Sequence, residues 1–321
     1  ASDSLTGLTA DSHWAIDATN AGSYTSTNTL NFTSLESLHG LGGVDQFVFA
    51  NSAAVAGAIN GGLGMDTLDY SAYISSVTVD LASGTATGTG SVSQIENVIG
   101  GFGADTLTGD NNANVLTGGP GNDTLAGAGG DDRYTFADGW GFNDVVIELP
   151  DEGRDTLDFT ATSGTLDVGF ALGITVTDGI SSAFAAGNNI EVFLGGSGTA
   201  NFNLTDAATK AVELTDLGTD IGFKGTVNGL EFDNVENLAV GAATDDSLTG
   251  ADLAAAWSFT LSGTHTYASG GRSLTLSGFE ILNGGADEDT FTFADGVVFD
   301  GTIDGRGGAD VFDFTTYAAA R

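Results

Sequence analysis

A short glycine-rich repeat constrains the fold of this chain more than any other feature of its sequence. Residues 100–135 divide into four consecutive nine-residue units, GGFGADTLT, GDNNANVLT, GGPGNDTLA and GAGGDDRYT. The first and third units fit the pattern G-G-x-G-x-D-x-U-x at every fixed position, where U is a large apolar residue. Nine residues are too few for a β-hairpin, but they suffice for a turn and one very short strand. Two units therefore predict one full coil of a parallel β-solenoid.

The fixed positions of the repeat predict a metal site at the turns. Glycine tolerates positive φ angles and lets backbone carbonyls face inward, and carbonyl and carboxylate oxygens are hard ligands that suit Ca²⁺. Because alternate units stack on the same edge, Asp105 is expected beside Asp123, and Asn114 beside Asp132 in a less charged pair. The glycines predicted to complete the site at the first pair are Gly100, Gly101, Gly103, Gly118, Gly119 and Gly121. The large apolar residues predicted to point into the coil are Leu107, Leu116, Leu125 and Tyr134.

Isolated copies of the unit occur elsewhere in the chain. They begin at Gly40, Gly61, Gly284 and Gly305, and they place Asp45, Asp66, Asp289 and Asp310 at the aspartate position. Each of these two aspartate pairs is 21 residues apart, so we expect each pair to share one edge. A calcium site and a plain Asp-Gly turn without an ion are both compatible with these copies. A further copy, from Gly195, has Ala200 at the aspartate position and is not expected to bind metal.

The block at 100–135 and the unit from Gly61 resemble the RTX, or haemolysin-type, calcium-binding nonapeptide repeat. The resemblance implies a β-roll in which carbonyls and Asp side chains of neighbouring turns hold Ca²⁺. Extracellular calcium modules bind with dissociation constants of about 10⁻⁴–10⁻³ M, and cytosolic calcium is far too low to fill such sites. We therefore expect an extracellular protein that becomes ordered when it meets calcium.

The chain also contains a long repeat, because residues 4–73 resemble residues 247–317. Trp14 and Tyr24 return as Trp257 and Tyr267, each 243 residues later. This pattern is typical of a window cut from a tandem array, and it favours copies that stack end to end. The repeated tryptophan predicts core packing or a strand cap, and a sugar-stacking platform is the alternative.

Composition excludes several classes of function. The chain has 321 residues, a net charge of -36 and no Cys, which excludes disulfide frameworks and disfavours nucleic acid and anionic lipid as partners. No apolar run reaches about 18 residues, so no membrane insertion is expected. Of the 43 acidic residues, 33 are Asp, which favours turns and cation ligands over helices. Because the sequence starts at Ala1 and no signal pattern follows, we expect a piece of a longer precursor.

Nothing in the sequence points to an enzyme. There are three histidines, His13, His39 and His265, and neither an HExxH nor a G-x-S-x-G motif is present. A pair of carboxylates for glycoside chemistry stays open, since acids occur throughout the chain. RTX repeats accompany secreted enzymes, so a carrier region for a catalytic domain outside this chain is a further alternative.

These observations predict an all-β chain, an elongated right-handed parallel β-solenoid or β-roll with calcium-binding Gly/Asp turns. Four segments are expected: a solenoid module with RTX-like turns at 1–99, an RTX β-roll at 100–160, a β scaffold without a clear metal motif at 161–240, and a second copy of the first module at 241–321. One short helix is predicted at 205–217. The predicted function is a calcium-stabilised structural repeat of a secreted or cell-surface bacterial protein, in a filament, surface layer or adhesin stalk. Copies of itself are the expected partner, and a glycan- or ice-binding adhesin module is the alternative.

Overall fold

A computed structural model describes residues 3–150, 152–170, 173–186, 189–204, 208, 210–241 and 243–318. Within these ranges the chain contains 35 strands and no helix, which confirms the all-β prediction. The chain forms two compact units: unit 1 comprises Ala1–Asp158 and Ile180–Asn189, and unit 2 comprises Phe159–Gly179 and Ile190–Arg321. Among the described residues, no helix has the length and apolar character needed to cross a bilayer. The division into four segments stays a prediction.

The strands are short, as turn residues at close intervals require. In the first part of the chain they are β1 (Ser4–Thr6), β2 (Ser12–Ala18), β3 (Ala21–Thr25), β4 (Thr29–Thr33), β5 (Ser37–Gly42), β6 (Asp45–Phe49), β7 (Val55–Leu63), β8 (Thr67–Asp69), β9 (Thr78–Asp80), β10 (Thr85–Ala86), β11 (Thr89–Ser93), β12 (Asn97–Ile99), β13 (Thr106–Thr108), β14 (Val115–Thr117), β15 (Thr124–Ala126), β16 (Arg133–Ala137), β17 (Asp144–Ile147) and β18 (Thr156–Ala161). In the remainder they are β19 (Leu166–Gly169), β20 (Gly173–Thr177), β21 (Ser182–Ala186), β22 (Val192–Leu194), β23 (Ala200–Leu204), β24 (Ala211–Leu217), β25 (Phe223–Val227), β26 (Leu230–Val235), β27 (Asn237–Val240), β28 (Ser247–Thr249), β29 (Ala255–Phe259), β30 (Thr264–Ser269), β31 (Arg272–Ser277), β32 (Ile281–Asn283), β33 (Asp289–Phe293), β34 (Thr302–Asp304) and β35 (Val311–Asp313).

Most strand pairs in unit 1 are parallel. Its strand orders are β1-β5-β7-β11, β10-β9-β13-β15-β17-β21 and β16-β14-β12-β8-β6-β2-β3-β4. The exceptions are the antiparallel pairs β2–β3, β3–β4 and β9–β10. Consecutive nonapeptide strands alternate between two sheets, which places β13 and β15 in one and β14 and β16 in the other.

The nonapeptide strands pair at a spacing of two units. Leu107 lies opposite Leu125 in the β13–β15 pair, and Leu116 lies opposite Tyr134 in the β14–β16 pair. All four of these side chains are fully buried. The predicted stacking of alternate units and the predicted core positions are therefore confirmed, and the Asp and Asn of alternate units must come into line.

Unit 2 combines parallel pairing with antiparallel hairpins. Its strand orders are β20-β19-β23-β27-β31-β30-β29-β33-β35 and β34-β32-β28-β24-β25-β26-β22. The turn between β25 and β26 is made by Asn228 and Gly229, whose φ angles of 50° and 93° are those of a type I′ turn. The helix predicted at 205–217 is wrong over Ala211–Leu217, which form strand β24, while residues 205–207 and 209 lie outside the described residues. Alternation of buried Val212 and Leu214 with exposed neighbours follows the period of a strand.

The long repeat has the same local structure in both units. Trp14 packs against Tyr24 and Phe47 with ring centroids 4.4 and 5.5 Å apart. In the second copy Trp257 packs against Tyr267 and Phe291 at 4.7 and 5.5 Å. Trp14 and Trp257 are 0% and 1% exposed, which confirms core packing. The alternative of a sugar-stacking platform at these tryptophans is wrong, because neither indole ring reaches the surface.

Candidate calcium centre

Hydrogen bonds join the Asp carboxylates along one edge of unit 1 into a ladder. Asp105 N–H donates to Asp123 Oδ1 at 2.8 Å, and Asp123 N–H donates to Asp144 Oδ1 at 2.9 Å. In the coil before them, Val77 N–H donates to Asp105 Oδ1 at 2.7 Å. Each carboxylate thus accepts a backbone N–H from the preceding coil. The predicted pair Asp105–Asp123 is brought together, and Asp144 adds a third step.

The other edge of the nonapeptide block has a matching ladder. Asn114 N–H donates to Asp132 Oδ1 at 2.7 Å, and Asp132 N–H donates to Asp155 Oδ1 at 2.9 Å. The Asn114 side-chain amide donates to the Glu96 carbonyl at 3.1 Å. Asn114 and Asp132 therefore stack as expected, and an amide takes the place of one carboxylate at this step.

The isolated copies of the unit form the same contact. Asp45 N–H donates to Asp66 Oδ1 at 2.7 Å, and in unit 2 Asp289 N–H donates to Asp310 Oδ1 at 3.0 Å. Asp66 N–H in turn donates to Glu96 Oε2 at 2.8 Å. Both pairs share an edge, as the spacing of 21 residues predicts, while their role as metal ligands stays a prediction.

Several ladder carboxylates keep a second oxygen that is buried and has no hydrogen-bond partner. These oxygens are Asp45 Oδ2, Asp66 Oδ2, Asp123 Oδ2 and Asp132 Oδ2. A buried anionic oxygen is costly unless a cation, a proton or a donor compensates it. A cation bound at the turns would therefore stabilise the ladder.

The glycines leave space between these carboxylates and the carbonyls of the next coil. A Cβ on Gly100 would lie 2.4 Å from Asp105 Oδ2 and 2.3 Å from the Gly118 carbonyl oxygen. Gly40 shows the same arrangement, with Asp45 Oδ2 at 2.1 Å and the Gly61 carbonyl oxygen at 2.3 Å. Carboxylate and carbonyl oxygens thus face one shared space, which is the donor set that Ca²⁺ prefers.

The remaining predicted glycines are needed for close approach of the coils. Gly119 has a φ of +90°, and a Cβ there would lie 2.6 Å from the Gly101 carbonyl oxygen. A Cβ on Gly121 would lie 2.0 Å from the Gly103 carbonyl oxygen. Any side chain at these positions would push the coils apart, because these distances lie well inside van der Waals contact.

Burial raises the pKa of several ladder carboxylates, as expected for acidic groups that have no cation beside them. Desolvation raises the pKa of Asp123 to about 7, against the lowering effect of the Asp105 N–H, and the nearby charges of Asp144 and Asp105 add to the rise. Burial likewise raises the pKa of Asp132 to about 7 and that of Asp66 to about 6. A bound cation would reverse this balance by favouring the ionised form.

A comparison with protein families agrees with this geometry. Residues 99–134 match the RTX calcium-binding nonapeptide repeat in four copies. This segment is therefore an RTX block, a repeat whose expected ion is Ca²⁺. A comparison with curated proteins finds no match for the chain.

Some ladder residues were missed by the sequence analysis. Glu96 and Asp155 lie 30 and 23 residues from Asp66 and Asp132, which fits no repeat period, and Asp144 lies 21 residues from Asp123 but outside the nonapeptide block. A signal was nevertheless present, because Glu96 belongs to the acidic-apolar segment IENV that directly precedes the block. Similar segments contain Glu236 and Glu280, whose carboxylates accept N–H groups from Ala200 and Asp246 at 2.6 and 3.0 Å.

Proposed function

We propose that this chain is a non-catalytic structural repeat of an extracellular bacterial protein, such as a filament, surface layer or adhesin stalk, and that Ca²⁺ stabilises its coils. The observation that carries the proposal is the carboxylate ladder with unpaired, buried oxygens beside backbone carbonyls. Asp105 and Asp123 supply carboxylates from successive coils of the same edge, and the glycines leave room for an ion between them. Bound Ca²⁺ would supply the positive charge that the unpaired oxygen of Asp123 lacks, while Asp105 Oδ2 also accepts the Gly101 N–H at 2.6 Å.

The proposal includes a right-handed β-solenoid as the path of the coils. Parallel crossover connections are almost always right-handed, and parallel pairing of alternate nonapeptides supports coiling. Calcium then acts as a folding ligand: one site at tenfold excess over its dissociation constant adds about 1.4 kcal/mol. Several such sites reach the 5–15 kcal/mol that typically separates a folded domain from its unfolded state.

The proposed extracellular location is based on the low calcium affinity of such sites. Weak calcium modules fill only where calcium is abundant, and RTX repeats typify secreted bacterial proteins. A net charge of -36 opposes compaction when calcium is scarce, through self-repulsion. The chain would therefore stay loosened in the cytosol and become ordered outside the cell.

A calcium titration followed by circular dichroism tests the proposal. We expect the purified chain to gain β structure at about 10⁻⁴–10⁻³ M Ca²⁺, and the double variant Asp105→Asn/Asp123→Asn to require a higher concentration. Asp17→Asn/Asp220→Asn is the matched control, because it also removes two charges, at exposed positions outside the ladder. An absent calcium response, or equal midpoints for the double variant and the control, would refute the proposal.

End-to-end association of copies is part of the same proposal. In unit 2, Phe312 of strand β35 and Phe314 directly after it are 47% and 39% exposed. Their counterparts in the first copy of the long repeat, Leu68 and Tyr70, are fully buried, and strand β12 pairs with β8 beside them. An apolar strand of this kind is suited to pair with a coil of another copy.

A glycan-binding adhesin module is the second candidate function. Phe102 and Phe142 are 59% and 63% exposed and follow stacked turns of unit 1, since Phe102 N–H donates to the Tyr73 carbonyl and Phe142 N–H to the Gly121 carbonyl. The turn that contains Gly121 lies between the two, since a Cβ on Gly121 would meet the Gly103 carbonyl and one on Gly141 the Gly121 carbonyl. Exposed rings spaced along one edge are a surface on which sugars stack. Glycan-array binding that is lost in Phe102→Ala/Phe142→Ala would favour this function, and absence of binding by the wild type would refute it.

A further inference from the structure

Three buried carboxylates lie together where the RTX block ends. One oxygen from each of Asp132, Glu148 and Asp155 lies within 4.8 Å of the others. The three residues are 1%, 4% and 1% exposed. Only Asp132 belongs to a nonapeptide, because Glu148 follows strand β17 and Asp155 precedes strand β18. The cluster therefore differs in composition from the stacked pairs of the repeat.

Two oxygens in this cluster have no hydrogen-bond partner. Asp132 Oδ2 and Glu148 Oε2 are both buried and unpaired, while the other oxygen of each residue is engaged. Asp132 Oδ1 accepts the Asn114 N–H, and Glu148 Oε1 accepts the Tyr134 hydroxyl. These unpaired oxygens are a second observation, separate from the clustering of the three carboxylates, that points to cation binding. Burying an anionic oxygen without a partner is costly, and a bound cation would offset that cost.

The surroundings hold Glu148 in place without neutralising it. Tyr134 is fully buried, and its hydroxyl oxygen accepts the Gly127 N–H at 2.6 Å while it donates to Glu148. The cationic side chain of Arg133 is engaged elsewhere, with Asp158, at 2.5 Å. Hydrogen bonds to Glu148 Oε1 and Asp132 Oδ1 fix both carboxylates, and their unpaired oxygens remain available to one ion.

We propose that Asp132, Glu148 and Asp155 bind one Ca²⁺ ion where the ladder leaves the repeat, at a site that Glu148 completes from outside the nonapeptides. Three carboxylates without a nitrogen or sulfur ligand favour a hard cation, and Ca²⁺ accepts irregular oxygen coordination better than Mg²⁺ does. The ion would tie the last nonapeptide to the two segments that follow it, because Glu148 and Asp155 both lie outside the matched residues 99–134. Tyr134 is the positioning residue, which orients Glu148 through its hydroxyl.

Counting bound calcium in the full chain by equilibrium dialysis tests this site. Glu148→Gln preserves side-chain size, and we expect it to bind one Ca²⁺ fewer than the wild type. Glu152→Gln is the matched control, because Glu152 lies in the same segment and its carboxylate accepts the Leu149 N–H outside the cluster. The control should bind the wild-type number of ions.

Tyr134→Phe provides a second test that keeps all three carboxylates. Loss of a hydrogen bond to a metal ligand typically weakens binding by about 10–100-fold, so one Ca²⁺ should dissociate at about tenfold higher free calcium while the total number stays the same. Tb³⁺ is a suitable probe, because emission sensitised by the Tyr134 ring should fall in Glu148→Gln and persist in Glu152→Gln.

The outcomes separate this site from the proposed function. If the wild type binds calcium and Glu148→Gln binds just as many ions, the cluster is not a site although the repeat sites stand. If Glu148→Gln fails to fold, an unchanged calcium affinity of Tyr134→Phe overturns the site in its place. If the wild type binds no calcium at all, both the site and the proposed function are refuted.

Discussion

In several ladder aspartates the two carboxylate oxygens have different roles. In Asp123, Oδ1 accepts the N–H of Asp105 from the preceding coil, while Oδ2 is buried without a partner. The first oxygen aligns one turn with the next and so helps to set the register of the coils. The second oxygen makes that stacking costly unless positive charge is supplied. Calcium dependence thus originates in single residues.

The stability of the folded chain should depend on pH in calcium-free buffer and much less so in excess calcium. In calcium-free buffer the pKa of Asp123 in the folded chain is raised to about 7, so the folded state keeps a proton that the unfolded state releases at about pH 4. The free energy of unfolding should therefore fall as pH rises from about 4 to about 7. In excess Ca²⁺ this fall should become shallow or vanish, since calcium favours the ionised carboxylate and lowers its pKa in the folded chain.

Thermal unfolding between pH 5 and 8, in calcium-free buffer and in excess calcium, measures this effect. Asp123→Asn should show a weaker pH dependence than the wild type in calcium-free buffer, and Asp17→Asn should behave as the wild type does in both buffers. Melting temperatures that rise with pH in calcium-free buffer would contradict the role assigned to the raised pKa values.

At the scale of single strands, each nonapeptide contributes one inward side chain. Strand β13 has three residues, of which Leu107 is fully buried while Thr106 is exposed. So short a strand is held by its neighbours and by the filling of the core rather than by its own length. One truncated side chain should therefore loosen a whole coil.

Leu107→Ala should lower the free energy of unfolding by about 2–5 kcal/mol in saturating calcium. It should also shift the calcium midpoint to higher concentration, because binding is coupled to folding. Thr106→Ala, on the outward face of the same strand, should stay within about 0.5 kcal/mol of the wild type. Chemical denaturation at fixed calcium measures both, and equal effects of the two variants would contradict the assignment of the core face.

Where the repeat is strict, the sequence predicts strand register and site geometry together. The spacing of 18 residues fixes the Leu107–Leu125 pair and the Asp105–Asp123 contact alike. Where insertions lengthen a coil, as before Asp144, the period is lost although the same hydrogen bond forms. The hairpin at Asn228–Gly229 was not predicted, although Asn-Gly is the pair that type I′ turns prefer. For residues 161–240 the sequence analysis predicted only a β scaffold.

For the whole molecule, net charge opposes the association of copies, and exposed apolar surface favours it. The chain has 43 acidic and 7 basic residues, so copies repel one another across most of their surface. Association is therefore favoured only where repulsion is neutralised and apolar surface is exposed. Calcium at the turns would neutralise the repulsion, and Phe312 and Phe314 expose the apolar surface.

This argument predicts self-association that depends on both calcium and strand β35. The mass of the wild type, measured by light scattering during size-exclusion chromatography, should increase with protein concentration in excess calcium and stay monomeric in chelator. Phe312→Asp/Phe314→Asp should remain monomeric in calcium, because two new charges oppose burial of the strand.

Leu261→Asp is the control, since it removes an apolar side chain that is 74% exposed at another place in unit 2. A wild type that stays monomeric at every concentration in calcium, or a double variant that associates like the control, would refute end-to-end assembly while leaving the calcium sites untouched.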